Sequence, residues 1–154
     1  MKPGVFTQLY VQLIFAVKYK DRLLKENIRS ELFSYMSGIA TNLKHKSIII
    51  NGVSDHVHVF LGISPSITIS DTVWELKRSS SLFINNKNWF GSKFQWQDGY
   101  GAFSYSRSHI DNVYNYIKYQ EQHHRKTTFR EEYIDFLKQF EIEFNNKYLF
   151  DFFS

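Results

Sequence analysis

The chain reads as an α+β protein of the ferredoxin-like, or RRM-like, kind: a β-α-β-β-α-β antiparallel sheet with additional C-terminal helices. Three observations predict it. Apolar residues recur at three- and four-residue spacings over two long segments, 26–45 and 69–86. Short runs rich in β-branched and aromatic residues flank those segments in the order that such a sheet needs. The length of 154 residues suits one core, and no repeat, low-complexity tract or Pro/Gly-rich linker divides it. Residues 1–154 are therefore read as a single domain.

Residues 7–18 (TQLYVQLIFAVK) form the expected first strand. In 26–45, Ile28, Leu32, Tyr35, Met36, Ile39 and Leu43 make one apolar stripe and predict an amphipathic helix. Residues 47–53 (SIIINGV) and 56–62 (HVHVFLG), with Ser54 and Asp55 between them, read as a hairpin that ends before Pro65. A second helix over 69–86 turns Ile69, Val73, Leu76, Leu82 and Phe83 inward. Residues 94–106 alternate partly and carry two glycines, which predicts a fourth strand with a bend. Residues 109–124 read as a helix on Ile110, Val113 and Ile117, and residues 129–140 as a last helix, followed by an aromatic tail over 141–154.

Composition narrows the chemistry. There is no cysteine, so disulfides, thiolate metal sites and cysteine nucleophiles are excluded. No run of about 18 apolar residues is present, and Met1-Lys2-Pro3-Gly4 opens no signal peptide; a cytoplasmic protein without membrane contact is expected. The net charge of +4 favours a polyanionic partner. Aromatic residues make up 18% of the chain, more than a core needs, which leaves rings to stack on bases or to meet a partner subunit.

Four groups of residues can carry chemistry. His56 and His58 flank Val57 on a strand, so their side chains share a face and can bind one metal ion from one side; two polar residues on a solvated face would look the same. Tyr116 and Gln120 lie four apart on a helix, where a phenol can stand beside an amide ligand; Tyr114 and Tyr119 are rival nucleophiles on other faces. His123, His124, Arg125 and Lys126 suit helix capping or phosphate contact better than metal binding, because neighbouring helix residues diverge. Lys77 and Arg78 can neutralise phosphates, and Trp96, Tyr100 and Phe103 can stack on unpaired bases, with core packing expected for at least one of the three rings.

Taken in order, these pieces resemble the HUH single-tyrosine transposases of the smallest insertion sequences and their REP-associated relatives. The likeness runs through Asp55-His56-Val57-His58-Val59, Leu76-Lys77-Arg78-Ser79-Ser80, Trp96-Gln97-Asp98-Gly99-Tyr100 and Phe103-Ser104. It continues through Val113-x-x-Tyr116-Ile117-x-x-Gln120-x-x-His123-His124 and Phe129-x-x-Glu132-Tyr133. It covers nearly the whole chain, with a tyrosine helix at about 109–125 and a C-terminal helix and tail at about 129–154. The resemblance implies Tyr116 as nucleophile, His56, His58 and Gln120 as ligands of a divalent metal, Mg or Mn, and Lys77, Arg78, Trp96, Tyr100, His123 and Arg125 as DNA-binding residues. It implies a homodimer that binds hairpins in single-stranded DNA and cuts and rejoins the strand through a phosphotyrosine. No nucleotide cofactor is expected, since the phosphotyrosine keeps the bond energy and no GxxxxGK[ST] loop is present. Two other readings use the same residues: a non-catalytic module that binds single-stranded nucleic acid, and a domesticated relative that acts on chromosomal repeat hairpins.

Overall fold

Four strands, β1 (Tyr10–Ala16), β2 (Lys46–Gly52), β3 (His56–Gly62) and β4 (Gly101–Tyr105), pair antiparallel in the order β2-β3-β1-β4. The computed structural model describes residues 2–153. Helices α1 (Glu26–Asn42) and α2 (Ile69–Asn86) follow β1 and β3, as the expected topology requires. Three further helices come after β4: α3 (Ile110–Lys118), α4 (Gln120–His123) and α5 (Phe129–Gln139). The α+β, ferredoxin-like prediction with added C-terminal helices holds.

Alternation along β3 divides the molecule into two packed layers. Val57, Val59 and Leu61 bury against Leu32, Met36, Val73 and Leu76 of α1 and α2. His56, His58 and Phe60 point to the opposite face, where Phe60 packs with Val113 and Ile117 of α3. Helix α5 closes the same face, with Phe136 stacked on Phe103 of β4. The sheet face away from α1 and α2 thus holds the C-terminal helices, with the two histidines beneath them.

Local chemistry explains the element ends. Thr68 caps α2 by accepting from the Asp71 N–H, and Thr128 with Glu131 forms a reciprocal capping box that starts α5. Gly52 ends β2 where a Cβ would stand 2.3 Å from the His56 carbonyl oxygen, so the turn into β3 admits no side chain there.

Three sequence expectations need correction. The fourth strand is confined to Gly101–Tyr105; upstream, only Trp96 forms a bridge, to Val17. The single helix expected over 109–124 starts with a 3-10 turn at Arg107–His109 and breaks at Tyr119. Asn51 explains the break, since its side-chain amide donates to the carbonyls of Ile117 and Lys118, at 2.9 and 3.2 Å, and so satisfies the end of α3. Leu82 is exposed, because six residues beyond Leu76 is off the buried face that Ser80 and Ile84 occupy. Within the aromatic tail, Phe150 is turned inward onto Phe129 and Tyr133.

Candidate active site and metal centre

The site is built from three imidazoles that are each fixed from behind. His56 Nδ1 lies 2.7 Å from Asp55 Oδ1, His58 Nδ1 2.7 Å from Gln12 Oε1, and His124 Nδ1 2.8 Å from the Thr127 carbonyl oxygen. Gln12 is itself oriented by donating its amide to the Tyr105 hydroxyl at 2.9 Å. Carboxylate, amide and carbonyl oxygens accept, so each Nδ1 carries the donated hydrogen and each Nε2 faces inward. The His56 ring is further clamped by Phe129, stacked at a centroid distance of 3.8 Å.

The three Nε2 atoms converge on one carboxylate. Glu132 Oε1 lies 3.1 Å from His56, 3.2 Å from His58 and 3.2 Å from His124. Glu132 reaches this position because α5 buries Phe129, Glu132, Tyr133 and Phe136 on one face. Its other oxygen, Oε2, accepts from the Tyr116 hydroxyl and from Gln120 Nε2, the latter at 3.0 Å. The Tyr116 hydroxyl also meets His123 Nε2 at 3.1 Å, and its ring stands edge-on to His58 at 6.0 Å.

The donor set fits a divalent cation. The ligand atoms of His56, His58, His124 and Glu132 all lie within 4.8 Å of one another. His56 Nε2, His124 Nε2 and Gln120 Oε1 are buried without a hydrogen-bond partner of good geometry, the condition that a bound ion relieves. A nitrogen-rich set suits Mn better than Mg, which prefers oxygen.

Electrostatics follow from burial and crowding. Burial alone lowers the basicity of His56, but the hydrogen bond it donates to Asp55 and its closeness to the Glu132 carboxylate outweigh it and hold the imidazole up at about 9. His58 moves the other way, lowered by burial. Burial works to raise the Glu132 carboxyl, yet the charge of His58 and the hydrogen bonds from His124, His56 and His58 hold it far below the usual carboxylate range. Tyr116 is pushed well above the ordinary phenol, first by burial and then by the Glu132 charge. The resting site therefore pairs a neutral phenol with an ionised carboxylate.

Of the residues singled out in the sequence, the structure brings His56, His58, Tyr116, Gln120 and His123 together. It places the others elsewhere. Arg125 is exposed beside Glu121 at 3.6 Å, and Tyr100 is partly exposed. Lys77 spends its ammonium on the carbonyls of Gln97 and Gly99, at 2.8 and 2.7 Å, while Arg78 lies open on α2. Trp96 is corrected: it is chiefly a core residue, edge-on to Phe15 and Phe94, with its indole N–H donated to Ser80, and only its edge reaches the surface groove beside Trp74. Phe103 is likewise buried.

Three contributors escaped the sequence reading. His124 was assigned to capping or phosphate contact because a continuous helix was assumed; the break at Tyr119 turns it inward. Glu132 left a legible signal, a carboxylate on the apolar face of a helix between Phe129, Tyr133 and Phe136. Gln12 left a similar one, a polar residue inside a strand otherwise composed for burial.

Two outcomes follow. In chelator, the Asp55→Asn variant should be less stable than wild type by a margin that depends on pH. His56 is held at about 9 in the folded protein against 6.5 as its ordinary value. Because the folded value is the higher one, its contribution is fully present below pH 6.5 and is lost as pH rises through 9. Thermal unfolding across that range should show the gap between the two proteins closing; a gap that widens with pH contradicts the assignment. Gln12→Leu, which leaves His58 without its orienting oxygen, should weaken Mn2+ binding about 10- to 100-fold by calorimetry.

Known proteins match the chain over most of its length. The family model described as "Transposase IS200 like" matches residues 5–120. The ISDra2 transposase TnpA of Deinococcus radiodurans is 28% identical over 124 residues, covering 76% of this chain and 87% of that protein. A crystal structure from Deinococcus radiodurans, of a protein assigned as a transposase, superposes with a TM-score of 0.61 at 25% identity, covering 78% of this chain and 96% of that one. A REP-associated tyrosine transposase bound to a REP hairpin shares the fold, with a TM-score of 0.56 at 11% identity over 80% of this chain and 74% of that one. The chain belongs to the IS200-like transposase family.

Proposed function

We propose that this transposase cuts and rejoins single-stranded DNA at hairpin-flanked ends, with Tyr116 as the nucleophile. The observation that carries the reading is the convergence of the Tyr116 hydroxyl, the inward Nε2 atoms of His56, His58 and His124, and Gln120 on the single carboxylate of Glu132. Residues 1–154 act as one catalytic domain in the cytoplasm; no described helix is long and apolar enough to cross a membrane.

His56, His58 and Gln120 hold the divalent metal, Mg or Mn, with His124 and Glu132 as further donors within reach. When bound, the metal supplies positive charge that stabilises the phosphodiester as its charge develops and eases ionisation of a nearby phenol. The chain's own groups do the positioning. Gln12, Asp55 and Thr127 fix the imidazoles, Glu132 and His123 hold the Tyr116 hydroxyl on both sides, and Phe129 and Phe136 keep water from that pocket. The phenol proton passes to His123 Nε2, 3.1 Å away and the more basic of its two partners, the bond from Tyr116 to phosphorus forms, and the bond from phosphorus to the 3′ oxygen breaks. The 3′ oxygen takes up a proton and leaves as a free hydroxyl, and a second 3′ hydroxyl reverses the sequence to join new ends.

Phosphate contacts are assigned to Arg78, His123 and Arg125, with Lys77 and Tyr100 beside the Gln97–Gly99 turn. A homodimer belongs to the same reading. Tyr116 can reach Glu132 of its own chain, and the reading takes the nucleophile from the subunit that holds the imidazoles.

The test is a covalent-adduct assay on hairpin-containing single-stranded DNA with Mn2+. Wild type should give a protein-linked band, and Tyr116→Phe should give none while still binding the DNA; an adduct in that variant removes Tyr116 from its role, and no adduct with wild type favours the non-catalytic module. Mixing Tyr116→Phe with His58→Ala chains should leave the adduct absent. Restored cleavage in the mixture would show that subunits exchange tyrosines.

A further inference from the structure

Beyond the imidazole cluster, α2 leaves Trp74 62% exposed, the most open of the tryptophans. An exposed indole alone is ordinary, but one beside a cationic groove offers a flat ring and charge together. Beside it runs a groove of about 270 Å³ whose lining includes Lys18, Lys77, Arg78, Gln95 and Asp98. The lining carries three cations against one carboxylate, which suits a polyanion and not an acidic or neutral surface. The Arg78 guanidinium lies 5.2 Å from the Trp74 ring centre and is steadied by Glu75 at 3.0 Å. Lys18 sits just past the end of β1, with its Nζ 3.4 Å from Gln95 Oε1.

The position of the groove ties it to the reacting groups. The Val17 N–H donates to the Asp55 carbonyl at 2.9 Å, and Asp55 in turn holds His56. Lys18 therefore emerges at the end of the sheet where the imidazoles lie, while Trp74 flanks that end from the opposite layer. A single strand crossing this end of the sheet can meet both.

We propose that this groove is a binding site for one unpaired nucleotide of single-stranded DNA, with the base stacked on Trp74 and the neighbouring phosphates on Lys18 and Arg78. The inference rests on the DNA reading above and adds a subsite to it. It also replaces Trp96, the ring expected from the sequence, with Trp74 as the stacking surface: Trp96 is spent on the core, and Trp74 is not. An aromatic platform of this kind tolerates any base, because every base has a π-face.

The test uses a single-stranded thymidine oligonucleotide without a hairpin, followed by tryptophan emission and by anisotropy of a labelled strand. Binding should quench the emission of wild type. Trp74→Ala should weaken affinity about tenfold or more, with thermal stability and Mn2+ affinity unchanged, and Trp74→Phe should recover most of the loss. Unchanged affinity in Trp74→Ala, with quenching intact, overturns the subsite. A Trp74→Ala protein that changes its sedimentation without DNA, but not its DNA affinity, also overturns it and assigns the face to a protein partner. The adduct assay separates the two readings: adduct formation by wild type with an indifferent Trp74→Ala sinks only the subsite. Loss of binding in Trp74→Ala, when wild type forms no adduct, supports the subsite and sinks the strand-transfer chemistry.

Discussion

The site depends on one buried carboxylate. Glu132 is almost wholly removed from water, a position in which an isolated ionised carboxyl is costly. It is kept ionised because three imidazole nitrogens surround one oxygen and a phenol and an amide donate to the other. The dependence is mutual, since the same carboxylate raises His56 and compensates the burial of a cluster that has few other acceptors. Sheet, tyrosine helix and C-terminal helix are thereby joined by charge as well as by apolar packing.

His45 shows what a structural histidine looks like in the same protein. It is buried, yet both ring nitrogens are matched: Nδ1 accepts from the Ser64 N–H at 2.9 Å, and Nε2 meets the Thr72 hydroxyl at 2.8 Å. His56 and His124 have a bonded Nδ1 and an Nε2 left over. The difference is one of unmet bonding capacity and not of burial, and it separates a residue that finishes a core from one that awaits a ligand.

The fold was legible in the sequence wherever periodicity was strong. The histidine strand, 56–62, and the second helix, 69–86, were read with the bounds they have in the structure, because alternation and helical spacing are unbroken there. Boundaries failed where a distant side chain intervenes: Asn51, far upstream of Tyr119, ends α3. In the site, the pairing of His56 with His58 and the spacing of Tyr116 from Gln120 were readable from local geometry. Glu132 and Gln12 left only the signal of a polar residue on a buried face, because their role depends on which face of α5 and β1 meets the imidazoles. Trp96 went to the core and Trp74 stayed outside for the same reason, since composition counts rings without saying which the core consumes.

The short turn between β2 and β3 also governs more than the hairpin. Asn51 lies directly across from His58 in the strand pairing, and the close approach at Gly52 leaves no room for a side chain beside it. A slip by one residue would send the imidazoles through the sheet and carry the anchor of α3 with them, because side chains change faces at every step along a strand. One alignment between two neighbouring strands thus sets both halves of the reacting pair, so that nucleophile and imidazoles are gained or lost together.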